Sequence, residues 1–122
     1  IENLGFGCVN KVFVVFDHAL ACPNEKDMIE GLHILWRADM NLNIDNADKK
    51  YNLQGNKFYR SLNNFEALPN ALNTFLCFMV GRDAVFVEHL SEECLIEVVH
   101  ELFTKCFPRL KLPRPSRVLV YA

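Results

Sequence analysis

The chain has 122 residues, of which 51% are apolar, and a formal net charge of −2. That length suits one hydrophobic core or part of a larger one. Its thirteen basic residues are scattered among fifteen acidic ones. This argues against a nucleic-acid or anionic-membrane surface, which would need clustered Lys and Arg.

The longest apolar run, Phe75 to Val80, has strand length and falls far short of the roughly 18 residues a membrane helix needs. Ile1-Glu2-Asn3-Leu4-Gly5 has no initiator Met and none of the basic and apolar regions of a secretory signal. The expectation is a chain cut from something longer. Five cysteines (Cys8, Cys22, Cys77, Cys94, Cys106) at irregular spacings, without a Cys-x-x-Cys pair, speak against a disulfide framework or a zinc site. They read as reduced thiols, mostly small core residues. Twelve asparagines give no Asn-x-Ser/Thr site, which also suits an intracellular setting.

In chain order, Lys11-Val12-Phe13-Val14-Val15-Phe16-Asp17 is a run of β-branched and aromatic residues. Its continuous apolarity predicts a central strand covered on both faces. His18 to Asp27 reads as a connection turning at Pro23-Asn24. Leu32, Ile34 and Trp36 alternate with His33, Leu35 and Arg37, the pattern of a strand with one better-buried face. Ala38 to Lys57 is polar and rich in Asn, Asp and Lys, and reads as a long loop, functional or mobile.

Phe58 to Leu68 is expected to form a short strand leading to a turn at Pro69-Asn70. Thr74 to Val80 reads as another buried strand, stopped by Gly81, and a short helix is expected from Arg82 to His89. Ser91 suits an N-cap, with Glu92 and Glu93 in the first turn of a stronger helix. Leu95, Val98, Val99, Leu102, Phe103 and Cys106 recur at helical spacing and give one apolar stripe. Phe107-Pro108 ends that helix, and Arg117 to Tyr121 is a last strand. Strands, then helices, then a strand predict an α+β fold: a mixed, largely antiparallel sheet with the amphipathic helix on one face.

Little of this carries chemistry. Gly5-Phe6-Gly7 precedes a strand, whereas a dinucleotide fingerprint needs three glycines between a strand and a helix. His89 and His100 flank Cys94 without metal-ligand spacing, so no metal site is expected. Ser91 is explained by capping, and Glu92, Glu93, Glu97 and Glu101 read as a solvated helix face. Lys11 is the remaining candidate. A lysine beside a buried strand costs free energy unless it reaches water or a partner, so it either snorkels outward or serves a site.

Gly5-Phe6-Gly7-Cys8-Val9-Asn10-Lys11-Val12-Phe13-Val14-Val15-Phe16-Asp17 closely resembles the Gly-Phe-Gly-x-x-[Asn/Asp]-Lys-[Val/Ile]-x-[Leu/Val]-x-Phe segment of the FAD amine oxidases. That superfamily includes spermine oxidase, acetylpolyamine oxidase and the lysine-specific histone demethylases. Leu32 to Trp36 is similar to their strand ending in Trp. Phe78-Met79-Val80-Gly81-Arg82-Asp83-Ala84 and Glu88 to Glu93 resemble their strand–Gly–helix unit and Leu-Ser-[Asp/Glu]-Glu helix start. Leu112-Pro113-Arg114-Pro115-Ser116-Arg117-Val118-Leu119 resembles their Pro-x-Pro-[Lys/Arg] link.

The resemblance implies a partial amine oxidase domain over residues 1–122, the substrate-side portion, with the FAD-binding N- and C-terminal parts absent. It implies an enzyme that oxidises a polyamine-type amine to an imine while O2 becomes hydrogen peroxide. Lys11 would then be both catalytic and cofactor-binding, holding a water against the flavin N5. The cofactor is FAD in the complete protein and is not expected to bind this segment alone, which is not expected to be active. The implied partners are a small-molecule amine and the FAD-binding remainder of the parent chain, with no nucleic acid and no membrane. The implied location is intracellular, cytoplasmic or peroxisomal. A histone-demethylase-like oxidase and a catalytically inactive interaction module on the same fold are the alternatives. Two departures bear on the substrate: His18-Ala19-Leu20 stands where relatives carry an aromatic Phe-Trp, and the Asn-rich stretch has no counterpart.

Overall fold

A computed structural model of the chain describes residues 9–21, 28–36 and 42–122. It contains strands β1 (Val9–Val15), β2 (Gly31–His33), β3 (Asn64–Leu68), β4 (Ala71–Val80) and β5 (Arg117–Tyr121). Helices α1 (Asp45–Tyr51), α2 (Gly81–Val87) and α3 (Glu92–Cys106) and a 3-10 turn at Phe58–Ser61 complete it. The strands form one sheet in the order β2-β3-β4-β1-β5. The fold is α+β with a largely antiparallel sheet as expected, and among the described residues every strand pairing is antiparallel.

The central position expected of β1 holds, between β4 and β5, but the cover on both faces does not. Asn10, Val12, Val14 and Phe16 are buried, whereas Val9 and Lys11 are exposed and Phe13 and Val15 half-buried. β4 follows the same rule, with Phe75, Cys77 and Met79 buried and Phe78 and Val80 more than half exposed. The register Val12↔Cys77 and Val14↔Phe75 aligns the two buried rows. Among the described residues the helices cover only that face, so a run that is apolar throughout is buried only at alternate positions.

The α3 stripe does what its spacing predicts: Leu95, Val98, Val99, Leu102 and Phe103 are all buried, with Cys106 half-buried. Phe103 stacks on Phe16 and meets Phe65 edge to face at 4.9 Å, joining the helix to β1 and β3. Ser91 is the N-cap, its Oγ accepting the Cys94 N–H at 3.1 Å. Gly81 sits at φ +66, a conformation cheap only for glycine, and turns β4 directly into α2.

Three expectations need correction. The stretch read as a loop from Ala38 to Lys57 contains α1, whose acidic Asp45 and Asp48 and basic Lys49 and Lys50 suit the helix dipole. Buried Ile44, Ala47 and Leu53 anchor it. Phe58 to Ser61 is a 3-10 turn rather than strand, with Phe58 and Tyr59 buried. The strand read from Leu32 to Trp36 is laddered only over Gly31–His33, although its alternation continues through buried Ile34 and exposed Leu35. The Pro69-Asn70 turn links β3 and β4 as expected. The Pro23-Asn24 turn lies outside the described residues.

Candidate functional site

Lys11 stands near the middle of the sheet face left open by the helices. It pairs with Phe78 on β4 and Tyr121 on β5. Phe78 is 56% and Tyr121 54% exposed, and Val9 and Val80 at one end of the face are also exposed. Phe13 lies beyond Tyr121 on the same face, the two rings edge to face at 5.7 Å. Among the described residues Lys11 has no carboxylate within ion-pair distance. The result is a flat apolar and aromatic wall carrying an ammonium. Gly5, Phe6, Gly7 and Cys8, which precede it in the motif, lie outside the described residues.

The rotation of β1 that turns Lys11 outward turns Asn10 inward. Asn10 is 2% exposed, the one buried polar side chain among the described residues. Its Nδ2 donates to the Ala84 carbonyl at 2.5 Å and to Glu88 Oε2 at 2.8 Å, pinning β1 to the end of α2. Sequence reasoning passed over Asn10. The available signal was a polar residue at an inward position of an otherwise apolar strand.

The other residues weighed in the sequence do not gather at this face. His100 lines a groove of about 290 Å³ between α1 and α3, apart from His89 in the link that precedes α3. Among the described residues no three His, Cys, Asp or Glu side chains are grouped to hold a metal ion. Burial pushes the Cys94 and Cys106 thiols up to about 11 and raises Cys77. Cys8 and Cys22 lie outside the described residues.

Of the glutamates read as a solvated face, Glu93 is exposed as expected, whereas Glu92, Glu97 and Glu101 are tethers. Glu101 accepts the Asn46 and Ala47 N–H groups at the start of α1 and pairs with Lys105. Glu97 bonds Lys50 and Arg114, and those hydrogen bonds hold its carboxyl below the usual range. Glu92 is lowered by its bond from Arg117 and also accepts the Val118 N–H.

Chemically, the open face offers an apolar and aromatic surface with the Lys11 ammonium near its middle, and by register Glu66 and Arg117 belong to the same face further out. It suits a flat ring system with partial negative charge, because aromatic and aliphatic side chains pack the ring and the ammonium meets the charge.

No protein-family profile matches the chain. Over nearly its whole length, however, the sequence is similar to an oxidase of amines. That relative is the peroxisomal N(1)-acetyl-spermine/spermidine oxidase of Bos taurus, 26% identical over 121 residues, or 98% of this chain. The chain spans 22% of the length of that protein. Among the described residues no helix is long and apolar enough to cross a membrane.

Proposed function

We propose that this chain is the substrate-side part of a flavin-dependent, polyamine-type amine oxidase. Its open sheet face would lie against the FAD-binding remainder of a longer protein, with Lys11 acting at the flavin. The observation that carries this reading is the placement of Lys11 between Phe78 and Tyr121, on an exposed apolar face. A face of that kind on a folded domain marks a contact surface. The likeness to a peroxisomal acetylpolyamine oxidase favours a polyamine over a histone tail as the amine, and a peroxisomal location.

When bound, FAD would supply the redox chemistry, taking a hydride equivalent from the carbon beside the amine nitrogen and passing the electrons to O2. The residues of this chain fit such a group. The apolar wall would pack a planar ring and exclude water, which strengthens any charge interaction made there. The Lys11 ammonium would hold a water by hydrogen bonding and favour the negative charge that develops as O2 takes an electron.

The test is Lys11→Met in the longer protein with FAD bound. Methionine keeps the apolar stem and removes the charge and its donors. Turnover should fall about a hundredfold while FAD occupancy and thermal stability hold. Stopped-flow measurement should find reoxidation by O2 slowed at least as much as reduction by amine. Wild-type rates in both halves would leave Lys11 as an outward-reaching surface charge.

A further inference from the structure

We propose that Glu66 sets the substrate preference of the open sheet face: it takes an ammonium of the polyamine that is not being oxidised, while the reacting nitrogen lies at Lys11. This rests on the oxidase reading and adds to it how the substrate is oriented.

The placement follows from register. Lys11 on β1 pairs with Phe78 on β4, and Leu76, two residues along β4 and on the same face, pairs with Glu66 on β3. Lys11, Phe78, Leu76 and Glu66 therefore form a diagonal, from a cation across an aromatic and an aliphatic side chain to a carboxylate. Two strand spacings across and two residues along put the Lys11 and Glu66 Cα atoms about 12 Å apart. Glu66 is exposed, and among the described residues no cation lies within ion-pair distance of its carboxylate. Glu92, Glu97 and Glu101, by contrast, are all engaged.

On its other side Glu66 is opposed by Gly31 of β2. A Cβ there would lie 3.0 Å from His33 Nε2, so the glycine leaves the imidazole room to fold back along β2 beside Glu66. The opposite margin of the face carries Arg117, on β5. Positive charge thus belongs to β1 and β5 and negative charge to β3, which gives the face a polarity.

That polarity orders a polyamine, whose nitrogens are spaced along an apolar chain. The nitrogen that becomes an imine must first give up its extra proton, and the Lys11 ammonium disfavours a second cation beside it. Glu66 favours one at the far end by a charge-assisted contact. The methylene chain between the two packs on Phe78 and Leu76. An alkyl monoamine fills the Lys11 end and the apolar strip but leaves Glu66 without a counter-ion.

Steady-state kinetics of the longer protein with FAD bound test this, with a polyamine and an alkyl monoamine of the same length as paired substrates. Glu66→Gln keeps the shape of the side chain and removes its charge. The preference for the polyamine, read as the ratio of the two kcat/KM values, should fall about tenfold, carried by a rise in the polyamine KM. Glu66→Asp should keep part of the preference, and added salt should erode that of the wild type. Circular dichroism melts would check that each variant is folded. An unchanged ratio in Glu66→Gln, with the wild type oxidising the polyamine, would overturn the role of Glu66 and leave the oxidase reading standing. An equal loss with both substrates would also overturn it, marking Glu66 as structural. Absence of amine-dependent peroxide from the wild type would overturn the oxidase reading, and this role with it.

Discussion

Asn10 donates to the Glu88 carboxylate at 2.8 Å from a side chain that is only 2% exposed, linking the start of β1 to the residue that caps α2. Its other amide hydrogen serves the Ala84 carbonyl. The link depends on donors, which an isosteric carboxylate lacks at neutral pH. Asn10→Asp should therefore cost about 3 kcal/mol, a charge facing two acceptors in a buried site. The folded state would raise the new carboxyl above its unfolded pKa of about 3.9. The penalty is then absent below that pH and grows as pH rises toward the folded pKa. Urea midpoints at pH 5 and pH 7 check this: the deficit relative to the wild type should be larger at pH 7. An equal deficit at both would mean that charge is not the cause.

Leu102 is fully buried in the stripe that α3 presents to the sheet. Leu102→Ala should lose about 2–5 kcal/mol through lost burial and the cavity left behind. Leu102→Asp, an unpaired buried carboxylate, should prevent cooperative folding. Thermal unfolding followed by circular dichroism distinguishes these outcomes from a solvent-facing stripe, for which both variants would melt like the wild type.

Glu101 caps α1 from α3 and holds Lys105, whose Nζ also donates to the Asn43 carbonyl. Glu101→Ala should cost about 1–2 kcal/mol, the range of a lost helix cap with its hydrogen bonds. The effect should be local. Hydrogen exchange should speed up in α1 while amides of β1 and β4 keep their protection. Uniform acceleration across the sheet would contradict this.

Cys94 and Cys106 have thiols pushed up to about 11 by burial, above an unfolded value of about 8.5. Between those values the unfolded state has shed protons that the folded state retains. Their contribution to stability is therefore complete below about pH 8.5 and is lost as pH rises toward 11. At pH 8.5 both should react with a thiol reagent far more slowly in the native protein than in urea. Mass spectrometry of the labelled peptides reads each site, and equal native and unfolded rates would mean the thiols are open to solvent.

What the sequence determined by itself was local. The helical spacing of Leu95, Val98, Val99, Leu102 and Phe103, with Ser91 at the cap, placed α3, because a stripe and its cap are set within one element. The β-branched run around Val12 and Val14 placed a strand for the same reason, although its central position depends on β4 and β5. Tertiary structure decided whatever depends on partners distant in the chain. α1 forms in a polar stretch because Glu101, 55 residues from Asn46, satisfies its first N–H groups. Asn10 is tolerable in the core because Ala84 and Glu88, 74 and 78 residues away, accept its hydrogens. The open face around Lys11 was hidden for the same reason. Val9, Phe13, Phe78 and Val80 are as apolar as the residues beneath them, and composition does not record which side of a strand the helices will cover. Burial belongs to the assembled layers, whereas the pattern along the strand only limits it.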